Sequence, residues 1–352
     1  MIRLVEYMVD SMKGFITISK YAGMREDLVQ AGGGNSSFKI SDDEMIIKAS
    51  GYQLADVSET NGYSKVNHSI IRNAFLSSNS LDDITDEEGK RILDSAFIDG
   101  KRPSIETFLH AVSGKYTLHT HPVVVNALTC RTNWISEVKS IFPDVMCVPY
   151  ATPGVELAKE YFKVYKEQNN LNINVCFLQN HGLVVSAENA DEVISLTEKI
   201  TGDIEDYLGL SRFHSYHNLT KIWFYIPDKV LWKVTDENVL RMYRNTGLWN
   251  HRFCPDCIVF LGKAILSLKS DFSESDISEF IESNSVPSVI EYENELYICS
   301  DSVKKALEIQ SVLSFSAQVM EVNTDDNCRF LSDPEQNYLI GWDAEKYRKN
   351  IK

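Results

Sequence analysis

Apolar positions recur at helical spacing from residue 5 to residue 30, and the period breaks at "AGGGNSSFKI", where three consecutive glycines end the helix. Two short strands, "FKI" and "EMIIKAS", follow as a hairpin-like pair. "NHSIIRNAFLSS" predicts a helix, "LDDITDEEGK" an acidic loop running into another, and "SIETFLHAVSG" a helix capped by Ser104 after Pro103. "KYTLHTH" is then a strand, "VVVNALTC" a short helix or strand, "VMCVPYAT" a strand and "GVELAKEYFKVYKEQ" a helix. "NVCFLQNHGLVVSA" predicts two strands across a turn, and "NADEVISLTEKITGDIEDYLGL" a long amphipathic helix. Helices and strands mix without regular βαβ alternation, so the expected sheet is mixed or antiparallel and covered by helices. No GxGxxG follows a strand, so a nucleotide-binding Rossmann unit is not signalled.

The pattern restarts after "SRFHSYHNLTKIWFYIPDK", which places a boundary near residue 218 and divides the chain into 1–217 and 218–352. In the second part "NELYICSDSVKKALEIQSVLSFSAQVMEV" is again strand, turn and long helix. It echoes "NHGLVVSAENADEVISLTEKITGDIED" without the histidine and glycine, as an old duplication or as a chance recurrence of a common unit.

Composition narrows the partners. The formal net charge of -15 argues against nucleic acid, whose phosphates need a basic surface. A small-molecule or protein partner is expected instead. Glu6, Asp10 and Lys13 interrupt the apolar positions of the first thirty residues, and no later stretch has the apolar length of a membrane span, so the expected location is cytoplasmic. Seven cysteines, an odd number, fit reduced thiols. Cys254 and Cys257 in "CPDC" have the spacing of a redox pair or half a zinc site, or are simply two thiols opening a strand "CIVFLG".

The chemistry gathers at "LHTHP". In an extended segment residues i and i+2 share a face, so His119 and His121 point the same way. His181 in "QNHGLVV" stands at a turn, where Gly182 permits close backbone approach, and is the candidate third ligand. Three neutral imidazoles leave a metal site with net positive charge, suited to polarising a carbonyl and stabilising an enolate. Glu106, just before the His119 strand, is the candidate base; read alone it is a solvated carboxylate in a first helical turn. His110 shares its helix face and is a supporting group or a satisfied core histidine.

"GGGNSSFK", "IKASG", "PSIETFLH", "LHTHP" and "NHGLVVS" resemble, in that order, the motifs of the class II aldolase and adducin family over about residues 15–212. The longer "GGGN" and "PSIET" forms look most like the aldolase half of rhamnulose-phosphate aldolase/lactaldehyde dehydrogenase fusions, and "CPDCIVFLG" and "WDAEKYRK" resemble the C-terminal extension of the long forms. The resemblance implies an α/β fold: an α/β/α layered domain with a mostly antiparallel central sheet, followed by a smaller α+β C-terminal domain, assembled as a homo-oligomer, commonly a tetramer. It implies zinc, or another divalent transition metal, on His119, His121 and His181, with Glu106 as acid/base. Gly34, Asn35, Ser50, Gly51 and Ser104 would hold the substrate's phosphate. The implied reaction is reversible cleavage of a ketose phosphate to dihydroxyacetone phosphate and an aldehyde through a zinc-stabilised enediolate. Relatives sharing the site chemistry are epimerases, dehydratases or decarboxylases, some readings favour an unphosphorylated or nucleotide-linked sugar, and an adducin-like chain would be a non-catalytic interaction module. One departure is Ile105, where smaller phosphate-handling relatives carry a second serine; Lys39 and Lys48 could compensate but read as exposed strand lysines.

Overall fold

The computed structural model of the chain describes residues 2–78, 80–168, 174–246, 252–323 and 328–340. The "WDAEKYRK" motif lies outside the described residues. The chain divides into two compact units, Met1–His214 and Ser215–Lys352.

The first unit is built on eight strands: β1 (Asn35–Lys39), β2 (Glu44–Lys48), β3 (Tyr63–Asn67), β4 (Phe97–Gly100), β5 (Tyr116–Thr120), β6 (Met146–Val148), β7 (Val175–Leu178) and β8 (Gly182–Ala187). Their order is β4-β3-β2-β1-β5-β8-β7-β6, antiparallel throughout except for the parallel β6–β7 pair. The expected mostly antiparallel sheet is therefore present. Helices Ile2–Gly23, Val123–Thr129 and Ala190–Leu208 pack against the central strands, while His68–Leu76, Asp86–Ala96, Thr107–His110 and Val155–Glu167 form a second group against β2 and β6. Neighbouring residues of β1 tell the faces apart: Ser36 bonds to Ser19 in the first group, and Ser37 bonds to His110 in the second. Because strand side chains alternate, the two groups lie on opposite sides of the sheet, which gives the α/β/α layering.

The second group of helices buries a core that includes Phe75, Phe108, Phe162, Met146, Leu178 and Val184. Phe75 stacks on Phe162 with centroids 4.6 Å apart and lies 5.3 Å from Phe108. That aromatic anchor fixes the short helix that follows Glu106. This helix is not the one expected: it runs Thr107–His110, and its N-cap is Glu106 rather than Ser104. Ser104 instead forms a turn, its Oγ accepting from the Glu106 N–H at 3.3 Å while its carbonyl accepts from Thr107. Pro103 is bridged to Ala49 on the neighbouring segment, which ties down the approach and delays the helix by two residues.

The second unit carries β9 (Val230–Lys233), β10 (Leu266–Leu268), β11 (Val289–Tyr292) and β12 (Glu295–Ser300) in the order β10-β11-β12-β9. Helix Val303–Glu321 packs against β9 and β12, and helices Glu237–Thr246 and Pro255–Leu261 pack against it. The expected strand "CIVFLG" is thus a helix. Pro255 stands in its first turn, and Cys257, Ile258 and Leu261, at helical spacing, face the core while Asp256 faces out. The short apolar run read as a strand because its length suits either element. Among the described residues no helix is long and apolar enough to cross a membrane.

Candidate metal centre

Three strand ends meet at one edge of the central sheet. Register places Asn35 of β1 beside His119 of β5, and His119 beside Val184 of β8, so the start of β1, the end of β5 and the start of β8 converge. His121 lies one residue beyond β5 and remains on the His119 side, with ring centroids 4.9 Å apart. Its N–H donates to the Leu28 carbonyl at 2.8 Å, and the next chain step is held by the Val123 N–H on the Asp27 carbonyl at 2.9 Å. That receiving segment is irregular, and buried ions stiffen it: Arg25, fully buried, grips both oxygens of Asp27 at 2.6 and 2.7 Å and reaches Glu198 at 2.6 Å. Gly33 faces the His121 ring so closely that a Cβ there would stand 2.9 Å from Nδ1.

His181 comes from the β7–β8 turn. Asn180 has a left-handed φ of 51°, the His181 N–H closes the turn on Leu178, and Asn126 donates its side-chain amide to the His181 carbonyl at 3.1 Å. A Cβ on Gly182 would collide with the Thr120 carbonyl, so only glycine fits. The His181 ring stands 5.0 Å from each of the other two imidazoles by centroid.

Glu106 completes the cluster. One carboxylate oxygen, Oε1, lies 3.2 Å from His181 Nε2 and 3.6 Å from His119 Nε2, while Oε2 accepts from the Asn35 side-chain amide. The four residues offer ligand atoms that all lie within 4.8 Å of one another, among the described residues the one such group of His, Cys, Asp and Glu. The donor set suits a divalent transition metal. His119 Nδ1 lies 3.0 Å from the Leu183 carbonyl, to which it must donate, and this leaves Nε2 as the ring nitrogen facing the site. His119 Nε2 and His121 Nε2 face each other at 3.1 Å, a contact that a shared proton or a cation would satisfy. The spacing is close to the ~3.3 Å edge of a tetrahedron with metal–nitrogen bonds of ~2.0–2.1 Å.

Electrostatics follow from burial. Desolvation, with His119 and His181 adding to it, holds His121 down at about 3, and desolvation also brings the fully buried His110 to about 3. Burial pushes the Glu106 carboxyl up, but His119 and His181 together pull it well below the usual carboxylate range. His110 stays neutral and bonds through Nδ1 to Ser37 Oγ at 2.7 Å, a second tie between the Glu106 helix and β1. A consequence for stability follows. An unfolded histidine titrates near ~6.5, so from there down to about 3 the unfolded chain takes up a proton that folded His110 refuses. Stability is present above pH ~6.5 and falls as pH drops through that window, by up to about 1.4 kcal/mol per pH unit for one such group. Urea midpoints of metal-free protein between pH 7.5 and 4.5 are expected to be level at first and then to decline; a flat profile would show His110 to be solvated.

Residues 15–202 match the Class II Aldolase and Adducin N-terminal domain. The chain belongs to the class II aldolase and adducin family. Among solved structures it is similar to the N-terminal class II aldolase domain of a conserved protein from Thermoplasma acidophilum, at 26% identity, over 55% of this chain and 92% of that one, with a TM-score of 0.48. It is also similar to L-fuculose-1-phosphate aldolase from Thermus thermophilus, at 18% identity over 59% and 95% of the two chains with a TM-score of 0.37. A sugar-phosphate aldolase from Thermotoga maritima matches at 15% identity over 59% and 97%, with a TM-score of 0.41. None of the curated proteins compared with it matches the chain.

In this class II aldolase-family chain the remaining expected residues differ in what they do. Asn35 is engaged by Glu106, and its own Oδ1 is buried without a partner. Gly34 has φ 76° and packs against the His119 carbonyl, where a Cβ would come within 2.8 Å. Ser50 donates its N–H to the Arg102 carbonyl at 2.9 Å, so that amide is spent, whereas Gly51, with φ 81°, faces open space. The Ala49–Pro103 bridge sets this turn beside Ser104. Lys48 departs from expectation: it is only 3% exposed, burial lowers its pKa, and Glu106 works against that shift. The sequence signal was its place at the end of "EMIIK", whose Met45, Ile46 and Ile47 are all buried.

Proposed function

We propose that the chain is a divalent-metal lyase that cleaves a ketose phosphate reversibly to dihydroxyacetone phosphate and an aldehyde, with the catalysis carried by residues 1–217 and with 218–352 as an extension of that enzyme. The observation that supports it is the Glu106 carboxylate grouped with three imidazole nitrogens in one largely buried cluster. His119, His121 and His181 would hold the metal, zinc being the natural choice for a nitrogen-rich site. Bound there, it would polarise the carbonyl and hydroxyl oxygens of the three-carbon unit.

The protein's own groups handle the proton on the donor carbon and the phosphate. Glu106 takes the proton from the carbon next to that carbonyl, leaving an enediolate, and returns it when cleavage runs forward. Asn35 and the anchored helix keep the carboxylate from swinging away. Gly51, Ser104 and the Lys48 ammonium would meet the phosphate, the lysine replacing with charge the donor that Ile105 does not provide.

Incubation of the zinc-loaded chain with dihydroxyacetone phosphate and a panel of aldehydes tests the reading, because only an aldolase makes a new carbon–carbon bond. Product from at least one aldehyde is expected. Proton exchange without product from any of them would assign the site to an epimerase-, dehydratase- or decarboxylase-type reaction instead. Lys48→Met is expected to raise KM for the phosphorylated donor ~10–100-fold, the equivalent of one charge-assisted contact of about 1.5–3 kcal/mol, with a smaller effect on kcat. An unchanged KM would remove Lys48 from the phosphate site.

A further inference from the structure

The metal centre leaves one chemical pair in the second unit unexplained. Cys254 precedes helix Pro255–Leu261 as its N-cap and Cys257 lies one turn in, so the i, i+3 spacing brings their sulfurs to 3.3 Å. The two thiols differ in access. Cys254 is partly exposed, whereas Cys257 is 1% exposed and its sulfur is also 3.3 Å from Ser316 Oγ. No disulfide joins any of the seven cysteines in this structure. A metal would need further ligands, and among the described residues no third His, Cys, Asp or Glu joins these two.

We propose that Cys254 and Cys257 form a reversible disulfide by exchange with a low-molecular-weight disulfide such as glutathione disulfide. Cys254, the accessible sulfur, gives its proton to solvent and attacks one sulfur of the oxidant. The oxidant's S–S bond breaks, and the first glutathione leaves as a thiolate that takes up a proton. Cys257, deprotonated in turn, attacks Cys254 Sγ and displaces the second glutathione. Two protein thiols are thereby oxidised by two electrons, and one disulfide is reduced to two thiols. The sulfurs need to close by only roughly 1.3 Å to reach a bond of ~2.05 Å. Oxidation takes the Cys257 thiol proton out of the contact with Ser316 on helix Val303–Glu321, so the bond is reported directly to the core of the unit. Burial pushes Cys254 up to about 11, which makes exchange slow at neutral pH and faster by about tenfold per pH unit as the thiolate fraction grows.

The test equilibrates the full chain in glutathione buffers of increasing oxidised fraction, quenches exchange with acid, alkylates the free thiols in denaturant and reads the peptide spanning residues 252–263 by mass. The expected result is joint loss of alkylation at Cys254 and Cys257, with a mass lower by two hydrogens, reversed by a dithiol reductant. In Cys257→Ser the exchange is expected to stop at a glutathione adduct on Cys254, and in Cys254→Ser the buried Cys257 should acquire none. Both cysteines of the wild-type chain remaining alkylatable in the most oxidising buffer would overturn the proposal. So would a stable glutathione adduct on the wild-type chain without loss of Cys257 reactivity.

Discussion

His181→Ala is expected to weaken divalent-metal binding on the order of 10²–10⁴-fold while leaving the fold intact. That range corresponds to taking one ligand of three from a nitrogen site whose full binding free energy would be ~10–16 kcal/mol. Among the three histidines this one gives the cleanest test. Its Nδ1 has no hydrogen-bond partner and its side chain is 11% exposed, so truncation gives up only the Nε2 contact with Glu106 and opens a space that water can enter. His119 would be a poorer choice, because its Nδ1 satisfies the Leu183 carbonyl and its loss would leave a buried acceptor unpaired. Competition against a chromophoric zinc chelator measures the affinity, and the melting temperature of the metal-free variant checks the fold. Unaltered affinity in a folded variant would mean that His181 is no ligand and that the metal, if any, sits elsewhere.

Parts of this arrangement were legible because a residue's face follows from its element. "LHTH" sits on a strand, where period two sends both histidines to one side, and both rings do lie together. "QNHGLVV" was legible as a turn between strands, and the β7–β8 hairpin with the left-handed Asn180 is what a three-residue connection between paired strands requires. The long helix after it begins at the Asn189 cap, whose side chain accepts from the Glu192 N–H. The echo in the second unit has the same local build, the β11–β12 hairpin leading to a helix capped by Ser302.

What the sequence hid depended on distant contacts. Nothing in "RPSIETF" shows that Pro103 is bridged to Ala49, yet that bridge moves the helix start to Thr107 and turns Glu106 from a first-turn surface carboxylate into a cap aimed at the histidines. Lys48 looked like a solvated strand lysine because hydropathy cannot tell an edge strand from one flanked on both sides by β1 and β3. "CIVFLG" failed for the opposite reason: a short apolar-rich run satisfies a helix or a strand locally, and only the core formed with Val303–Glu321 decides between them.

Glu106→Gln should separate proton transfer from metal binding. The substitution keeps shape, and the glutamine carbonyl can still accept from Asn35, so the helix should stay in place. It removes the group that can take a proton. Loss of a positioned base costs about 10²–10⁴-fold, so exchange of deuterium into dihydroxyacetone phosphate should fall by that factor while zinc content stays at the wild-type level. If exchange persists in the metal-loaded variant, another group takes the proton and Glu106 becomes a fourth metal ligand or a structural tie. If zinc is lost together with exchange, the carboxylate is a ligand first, because a base acting on substrate alone has no reason to change metal content.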